Sequence, residues 1–86
     1  MRIQVKLFAN LRDRLPREAR GRTEIDLPEP ATLAQLIDRF DIPDALAQMV
    51  LVNGTRVGRR RSVWEEYRLA ADDEVCIFPP VAGGKS

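Results

Sequence analysis

The sequence reads Val75-Cys76-Ile77-Phe78-Pro79-Pro80 close to its end, and this run predicts a buried strand that stops abruptly. Its first four residues are apolar, and β-branched or aromatic residues dominate, which is typical of a strand inside a sheet. Pro79 and Pro80 have no N–H group to donate to a neighbouring strand, so they end it. They also fix the backbone angle φ, and the chain therefore leaves the sheet as a stiff segment.

The tail that follows has almost no side-chain bulk. Val81 and Ala82 are small, and Gly83 and Gly84 tolerate almost any backbone conformation. A stiff segment with a slender tip suits insertion into the narrow active site of another protein. We therefore divide the chain into a domain over residues 1–78 and an extended functional tail over residues 79–86.

Length and composition exclude several classes of protein. The 86 residues are enough for one domain with one core. The formal net charge is +1, which argues against nucleic-acid binding through overall charge. The chain has no histidine and one cysteine, so we expect neither a cluster of soft metal ligands nor an internal disulfide. No apolar run is long enough to span a membrane and the N-terminus does not resemble a signal peptide, so we expect a cytoplasmic protein.

Alternation of apolar and polar residues predicts the other strands. Ile3, Val5 and Leu7 point inward from a first strand over residues 2–9, and Phe8 falls on the polar face. Residues 10–21 are charged, and we expect a helical turn followed by a loop. Further strands are predicted at residues 23–27, 49–52 and 55–57.

One clear helix begins after Thr32, which is a good N-cap with Gln35 three residues later, as in a capping box. Apolar residues then recur at positions 33, 36, 37 and 40, the spacing of one helix face. Asn53-Gly54 favours a type I′ hairpin turn between the third and fourth strands. A single helix covers only one face of a sheet. The sequence therefore predicts an α+β domain of the β-grasp type, with about five strands in a mixed sheet, one main helix on one face, and the first and last strands adjacent in the middle.

Three features of the second half are less regular. The run Gly58-Arg59-Arg60-Arg61 is too short and too poor in aromatic residues for a nucleic-acid site, so we interpret it as a solvated loop, with an acidic partner surface as the alternative. The apolar residues at 63, 64, 67 and 69 are irregularly spaced and are expected to close the open end of the core. Cys76 is expected to be a packing residue, with a persulfide role as the alternative.

The chain resembles the MoaD/ThiS family of ubiquitin-like sulfur carriers, most closely the small-subunit type of molybdopterin synthase. The resemblance covers essentially the whole chain and is carried by Val5-Lys6-Leu7-Phe8-Ala9-Asn10-Leu11-Arg12, Leu51-Val52-Asn53-Gly54 and Asp73-Glu74-Val75-Cys76-Ile77-Phe78-Pro79-Pro80-Val81-Ala82-Gly83-Gly84. It implies that the carboxylate of Gly84, preceded by Gly83, is adenylated and then converted to a thiocarboxylate.

The resemblance also implies the partners. A ubiquitin-activating-type adenylating enzyme would use ATP, and a synthase large subunit or similar protein would accept the sulfur, while the carrier binds no cofactor or metal and is not itself an enzyme. Phe8 and Phe78 are expected to project from one uncovered face as a docking surface, and the tail residues Pro79, Pro80, Val81 and Ala82 are expected to contact the same partners. The alternative is a second small core, covered by Trp64, Tyr67 or the 10–21 loop.

Lys85 and Ser86 depart from the family pattern, in which Gly-Gly usually ends the chain. We expect that a peptidase removes them or that they are foreign to the natural chain; loss of carrier chemistry is the third alternative. Two other functions stay open from the sequence. One is a ubiquitin-like modifier joined through Gly84 to target lysines, and the other is a non-catalytic β-grasp interaction module.

Overall fold

The structure, a computed structural model, describes residues 1–80 and contains one five-stranded sheet. The strands are β1 (Arg2–Leu7), β2 (Arg22–Asp26), β3 (Met49–Val52), β4 (Thr55–Val57) and β5 (Glu74–Phe78). They lie in the order β2-β1-β5-β3-β4, with β1 and β5 parallel and the other neighbours antiparallel. The predicted mixed sheet is confirmed, and so is the placement of the first and last strands side by side.

The main helix, α1 (Leu33–Arg39), covers one face of the sheet. Its predicted capping box is present: the N–H of Gln35 donates to Thr32 Oγ1 at 3.3 Å, and the N–H of Thr32 donates to Gln35 Oε1 at 2.8 Å. Leu33, Leu36 and Ile37 are completely buried, as the apolar spacing predicts. The β-grasp architecture with one main helix is therefore confirmed.

A second, shorter helix, α2 (Arg61–Glu66), packs against α1, and it was not predicted from the sequence. Trp64 is buried at the centre of α2, and its Nε1–H donates to the carbonyl oxygen of Gly58 at 2.9 Å. Arg61 begins the helix and is ion-paired, so the interpretation of Arg61 as part of a solvated loop is wrong. Arg59 and Arg60 are exposed before the helix, as expected.

The segment between β1 and β2 forms two short 3-10 helices, Ala9–Arg14 and Arg17–Ala19. It returns to the sheet through Gly21, whose φ is +80° and whose carbonyl oxygen accepts from the N–H of Leu7 at 2.7 Å. A Cβ atom there would lie 2.6 Å from the carbonyl oxygen of Leu7, so only glycine fits this crossing. The remaining 3-10 helix, Asp44–Leu46, follows α1.

The predicted hairpin between β3 and β4 is confirmed. Asn53 and Gly54 have φ values of 53° and 84°, and positive angles at both positions are those of a type I′ turn. The Asn53 amide also holds the start of β5, because its Nδ2 donates to Asp73 Oδ1 at 2.8 Å and its Oδ1 accepts from the N–H of Glu74 at 2.9 Å. Within residues 1–80, no helix has the length and apolarity needed to cross a membrane.

Candidate functional site

Strand β5 divides its side chains between the two faces of the sheet. Val75 and Ile77 are completely buried in the main core beneath the helices. Cys76 and Phe78 alternate to the other side, as predicted, and are not members of that core. We call this other side the open face.

Phe8 and Phe78 meet on the open face. The register places Leu7 beside Ile77, which brings together Phe8, the residue after β1, and Phe78, the last residue of β5. The two rings stack with their centroids 4.1 Å apart and their planes 10° from parallel. The predicted neighbourhood of these rings is therefore confirmed, whereas their binding of a partner stays a prediction.

Two further apolar residues enlarge this surface, and the sequence analysis missed both. Met49 pairs with Phe78 and Leu51 pairs with Cys76 in the antiparallel ladder between β3 and β5. Directly opposed residues share a face, so both side chains lie beside the phenylalanines. The alternation of β3 could have identified them, because Val50 and Val52 are the inward pair. The apolar patch then consists of Phe8, Met49, Leu51, Cys76 and Phe78.

The main core does not explain the patch. Phe8, Met49, Leu51 and Phe78 are all partly exposed and none of them packs against the main core. Trp64 is part of that core and Tyr67 packs against it, rather than forming a second core with the rings. Clustered apolar side chains that are neither core nor fully exposed are typical of an interaction surface.

Charged groups lie next to Cys76. Lys6 Nζ is 3.0 Å from Glu74 Oε2, and Lys6 is the neighbour of Cys76 across the β1–β5 ladder. Burial raises the pKa of the Cys76 thiol, the Glu74 carboxylate raises that pKa further, and the Lys6 ammonium group opposes both. The thiol is therefore held in its protonated, weakly nucleophilic form.

The root of the tail lies at the same end of the open face. The carbonyl oxygen of Phe78 accepts from the N–H of Gln48 at 2.9 Å, and β5 ends there. Pro79 is buried and Pro80 is exposed. Val81, Ala82, Gly83 and Gly84 lie outside the described residues, so the site predicted there is untested. Residues 1–80 contain no group of three histidine, cysteine or acidic side chains placed to hold a metal ion.

Comparison with known proteins supplies independent information. A sequence profile of the ThiS family matches residues 5–84. No curated protein sequence gives a match.

Solved structures agree with the profile. A Pyrococcus furiosus protein described as molybdopterin converting factor, subunit 1, is similar with a TM-score of 0.67 and 28% identity, over 94% of this chain and 99% of that one. SAMP1 from Haloferax volcanii has a TM-score of 0.67 and 25% identity, over 98% and 100% of the two chains. A structure of H. volcanii small archaeal modifier protein 1, at 23% identity, a TM-score of 0.67 and coverage of 93% and 98%, shows the shared fold.

Proposed function

Because the chain belongs to the ThiS family, we propose that it is a sulfur carrier activated at the carboxylate of Gly84. The observation that carries the proposal is the extent of the family match, which continues through the tail and ends at Gly84. The family match therefore includes the tail up to Gly84 as well as the domain. The resemblance of residues 73–84 to the family's C-terminal segment supports the same glycine.

The proposed chemistry needs few groups from the carrier. A carboxylate is a poor electrophile at neutral pH, so Gly84 would first attack the α-phosphorus of ATP, release pyrophosphate and become an acyl adenylate. Sulfur supplied at the oxidation level of sulfide would then displace AMP and leave the thiocarboxylate, a nucleophile that is ionised near pH 7. The carrier contributes its C-terminal carboxylate and a docking surface, and the adenylating enzyme contributes the catalytic groups.

We propose that the apolar patch is where these partners dock. The partner classes are a ubiquitin-activating-type adenylating enzyme and the large subunit of a synthase that accepts the sulfur. The patch surrounds the point where β5 ends, so a partner bound there would have its active site within reach of the tail. Similarity to the molybdopterin converting factor subunit favours a pterin precursor as the final sulfur acceptor.

Lys85 and Ser86 must be absent for this chemistry, because an amide-bonded Gly84 has no carboxylate. The family match stops before these two residues, which supports a carrier that functions with Gly84 at its end. We propose that a peptidase of the host removes Lys85-Ser86 where they are present.

The proposal is tested with three versions of the chain: residues 1–86, residues 1–84 and residues 1–82. ATP–pyrophosphate exchange with the cognate adenylating enzyme should be supported only by the 1–84 version. All three should melt at the same temperature, because residues 83–86 follow the strands that build the core. Exchange supported equally by the 1–82 version would eliminate Gly84 as the activated residue.

A protein modifier is the second candidate, and the similarity to SAMP1 favours it. It would share the adenylation of Gly84 and differ in the acceptor, a lysine amine of a target protein. Mass spectrometry of the 1–84 chain from cells separates the two. Replacement of one oxygen by sulfur at the C-terminus supports the carrier, and Gly84 in isopeptide bonds to target lysines supports the modifier. A non-catalytic interaction module would show neither product.

A further inference from the structure

We propose that the apolar patch is flanked by a cationic rim. This rim selects protein partners whose docking surface has an apolar centre surrounded by carboxylates. The rim consists of four exposed arginines on both sides of the patch: Arg12, Arg20, Arg22 and Arg56. This inference deepens the proposed function and rests on it, because it specifies the surface chemistry of the proteins that receive the tail.

The sheet register places two rim arginines on the open face. Arg22 pairs with Lys6 across the β1–β2 ladder, and Arg56 pairs with Leu51 across the β3–β4 ladder. Opposed residues in antiparallel strands point to the same side, so these two arginines border the patch from its two edges. Both edges of the sheet therefore present positive charge to a partner on the open face.

The other two rim arginines line a cavity of about 370 Å³ beside the patch. Lys6, Phe8, Arg12, Arg20 and Arg22 contribute to its walls. The cavity thus combines an aromatic ring of the patch with four cationic side chains.

The Arg12 side chain passes close to the backbone of Gly21. A Cβ atom on Gly21 would lie only 3.0 Å from Arg12 Cγ and 3.2 Å from Arg12 Nε, so the Arg12 side chain lies directly over the Gly21 backbone. Arg12 also lines the cavity. The absence of a side chain at Gly21 therefore leaves room for Arg12 at this wall of the cavity.

The rim charges are not neutralised inside the molecule. Within residues 1–80, none of the four arginines forms an ion pair, whereas Arg2 at the opposite end of β1 pairs with Glu24 at 3.4 Å and with Asp26 at 3.7 Å. Lys6 is likewise paired with Glu74. The open face is therefore polarised, with ion-paired charges at the start of β1 and positive charges outside any ion pair of residues 1–80 towards the end where the tail leaves.

This polarity fits an acidic protein surface better than a nucleic acid. The centre of the face includes the aliphatic side chains of Met49 and Leu51, and the two rings already stack on each other, which leaves less aromatic surface for the base stacking by which single-stranded nucleic acids bind. An interface with an apolar centre and a polar rim is the usual form of a protein–protein contact. Charges in the rim mainly accelerate association and reject partners of like charge.

The test measures association of the 1–84 chain with the cognate adenylating enzyme by biolayer interferometry at low and at high salt. Arg22→Glu and Arg56→Glu should each slow association at low salt by about fivefold or more, and the difference should shrink at high salt. Arg68→Glu is the matched control, since Arg68 is exposed, lies beside Thr32 at the start of α1 and undergoes the same charge change. It should change the rate less than twofold. Equal rates for all three variants would overturn the inference.

A second measurement does not depend on the enzyme. A synthetic peptide with glutamates on both sides of one leucine is titrated into the ¹⁵N-labelled chain, with a glutamine version of the peptide as control. The expected result is chemical-shift change at Lys6, Arg12 and Arg22 with the glutamate peptide alone. Equal shifts at Arg39, Arg59 and Arg68 would contradict the inference, as would tighter binding of single-stranded DNA at the rim.

The two measurements separate the inference from the proposed function. A 1–84 chain without substitutions that binds the glutamate peptide at the rim and supports no pyrophosphate exchange would contradict the carrier and leave the rim standing. Normal exchange with an Arg22→Glu variant that associates as fast as Arg68→Glu would contradict the rim and leave the carrier standing.

Discussion

The two faces of the sheet are built from the same strands and differ in what they contact. On the covered face, Val5, Leu7 and Ile77 are at most 2% exposed and pack beneath the helices. One residue further along the chain, Phe8 just after β1 and Phe78 at the end of β5 are partly exposed and stack on each other outside the main core. A single step along β1 or β5 therefore separates side chains that stabilise the domain from side chains available to a partner.

The largest effect is expected on the covered face. Ile77→Ala should lower the free energy of unfolding by about 2–5 kcal/mol, because it leaves a cavity in a closely packed core. Urea denaturation gives the value. Val63→Ala is the control, since Val63 is 36% exposed and its truncation should change stability by about 0.5 kcal/mol or less. A loss below about 1 kcal/mol for Ile77→Ala would mean that the covered face is not the main source of stability.

On the open face, a substitution should weaken partner binding more than it lowers the stability of the domain. Phe78→Ser should weaken binding of the adenylating enzyme by about 1–3 kcal/mol, as expected for an aromatic residue at the centre of an interface. Its effect on stability should be smaller, about 1 kcal/mol, because one stacked pair is lost from a partly exposed site.

Calorimetric titration and thermal melting of Phe78→Ser and Phe8→Ser give both quantities. A large fall in the melting temperature with unchanged affinity per folded molecule would assign the rings to a second core. The docking surface would then have to lie on another part of the molecule.

Local patterns account for what the sequence predicted well. The capping box at Thr32, the Asn53-Gly54 turn and the alternation in β1 and β5 each depend on residues close together in the chain, and each is present in the structure. The two aromatic members of the apolar patch were predicted from the sequence, and Met49 and Leu51 were not. Phe8 was identified as an aromatic residue on the polar face of its strand and Phe78 as the neighbour of the inward-facing Ile77, whereas Met49 and Leu51 looked like members of a uniformly apolar strand.

Helix α2 was missed because its stability does not come from its own sequence. Six residues are too few for an isolated helix in water, and this one has no side-chain hydrogen bond at its N-cap. It is held by the burial of Trp64 and by Arg61, two of whose partners, Asp38 and Asp44, lie 23 and 17 residues away in the chain. No pattern within residues 58–69 contains that information.

The Arg61 cluster provides the third test, on the helices of the covered face. Arg61 Nη1 donates to Asp38 Oδ1 at 2.9 Å and lies 3.2 Å from Asp44 Oδ1, and Arg61 Nε is 3.5 Å from Glu65 Oε2. The hydrogen bond from Arg61 holds the pKa of Asp38 below its ordinary value of 3.8. Arg61→Gln should therefore lower the melting temperature modestly at pH 7, since exposed ion pairs contribute little.

The pH dependence of that difference follows from the lowered pKa. A carboxylate with a depressed pKa in the folded state stabilises the protein above its ordinary pKa, and the contribution disappears as the pH falls through the folded value. The difference between Arg61→Gln and the wild type should thus be constant above about pH 5 and vanish in stronger acid. Arg59→Gln, which removes an exposed arginine with no ion pair within residues 1–80, should show no such trend. A difference that persists in strong acid would show that Arg61 acts through packing.

The smallest effect is expected at Cys76, the least exposed member of the open face at 9%. Burial and the nearby Glu74 carboxylate raise the pKa of its thiol, so little thiolate is present at neutral pH to carry a persulfide. Cys76→Ala should keep sulfur transfer within about twofold of the wild type, because alanine leaves the rings of the patch in place. Thiocarboxylate formation on the 1–84 chain, followed by mass spectrometry, gives the comparison. Glu74→Gln is the companion variant: it removes the negative charge that disfavours the thiolate and should make Cys76 alkylate faster. A stably folded Cys76→Ala chain that accepts no sulfur would make Cys76 a chemical participant, and the open face would then take part in the reaction as well as in docking.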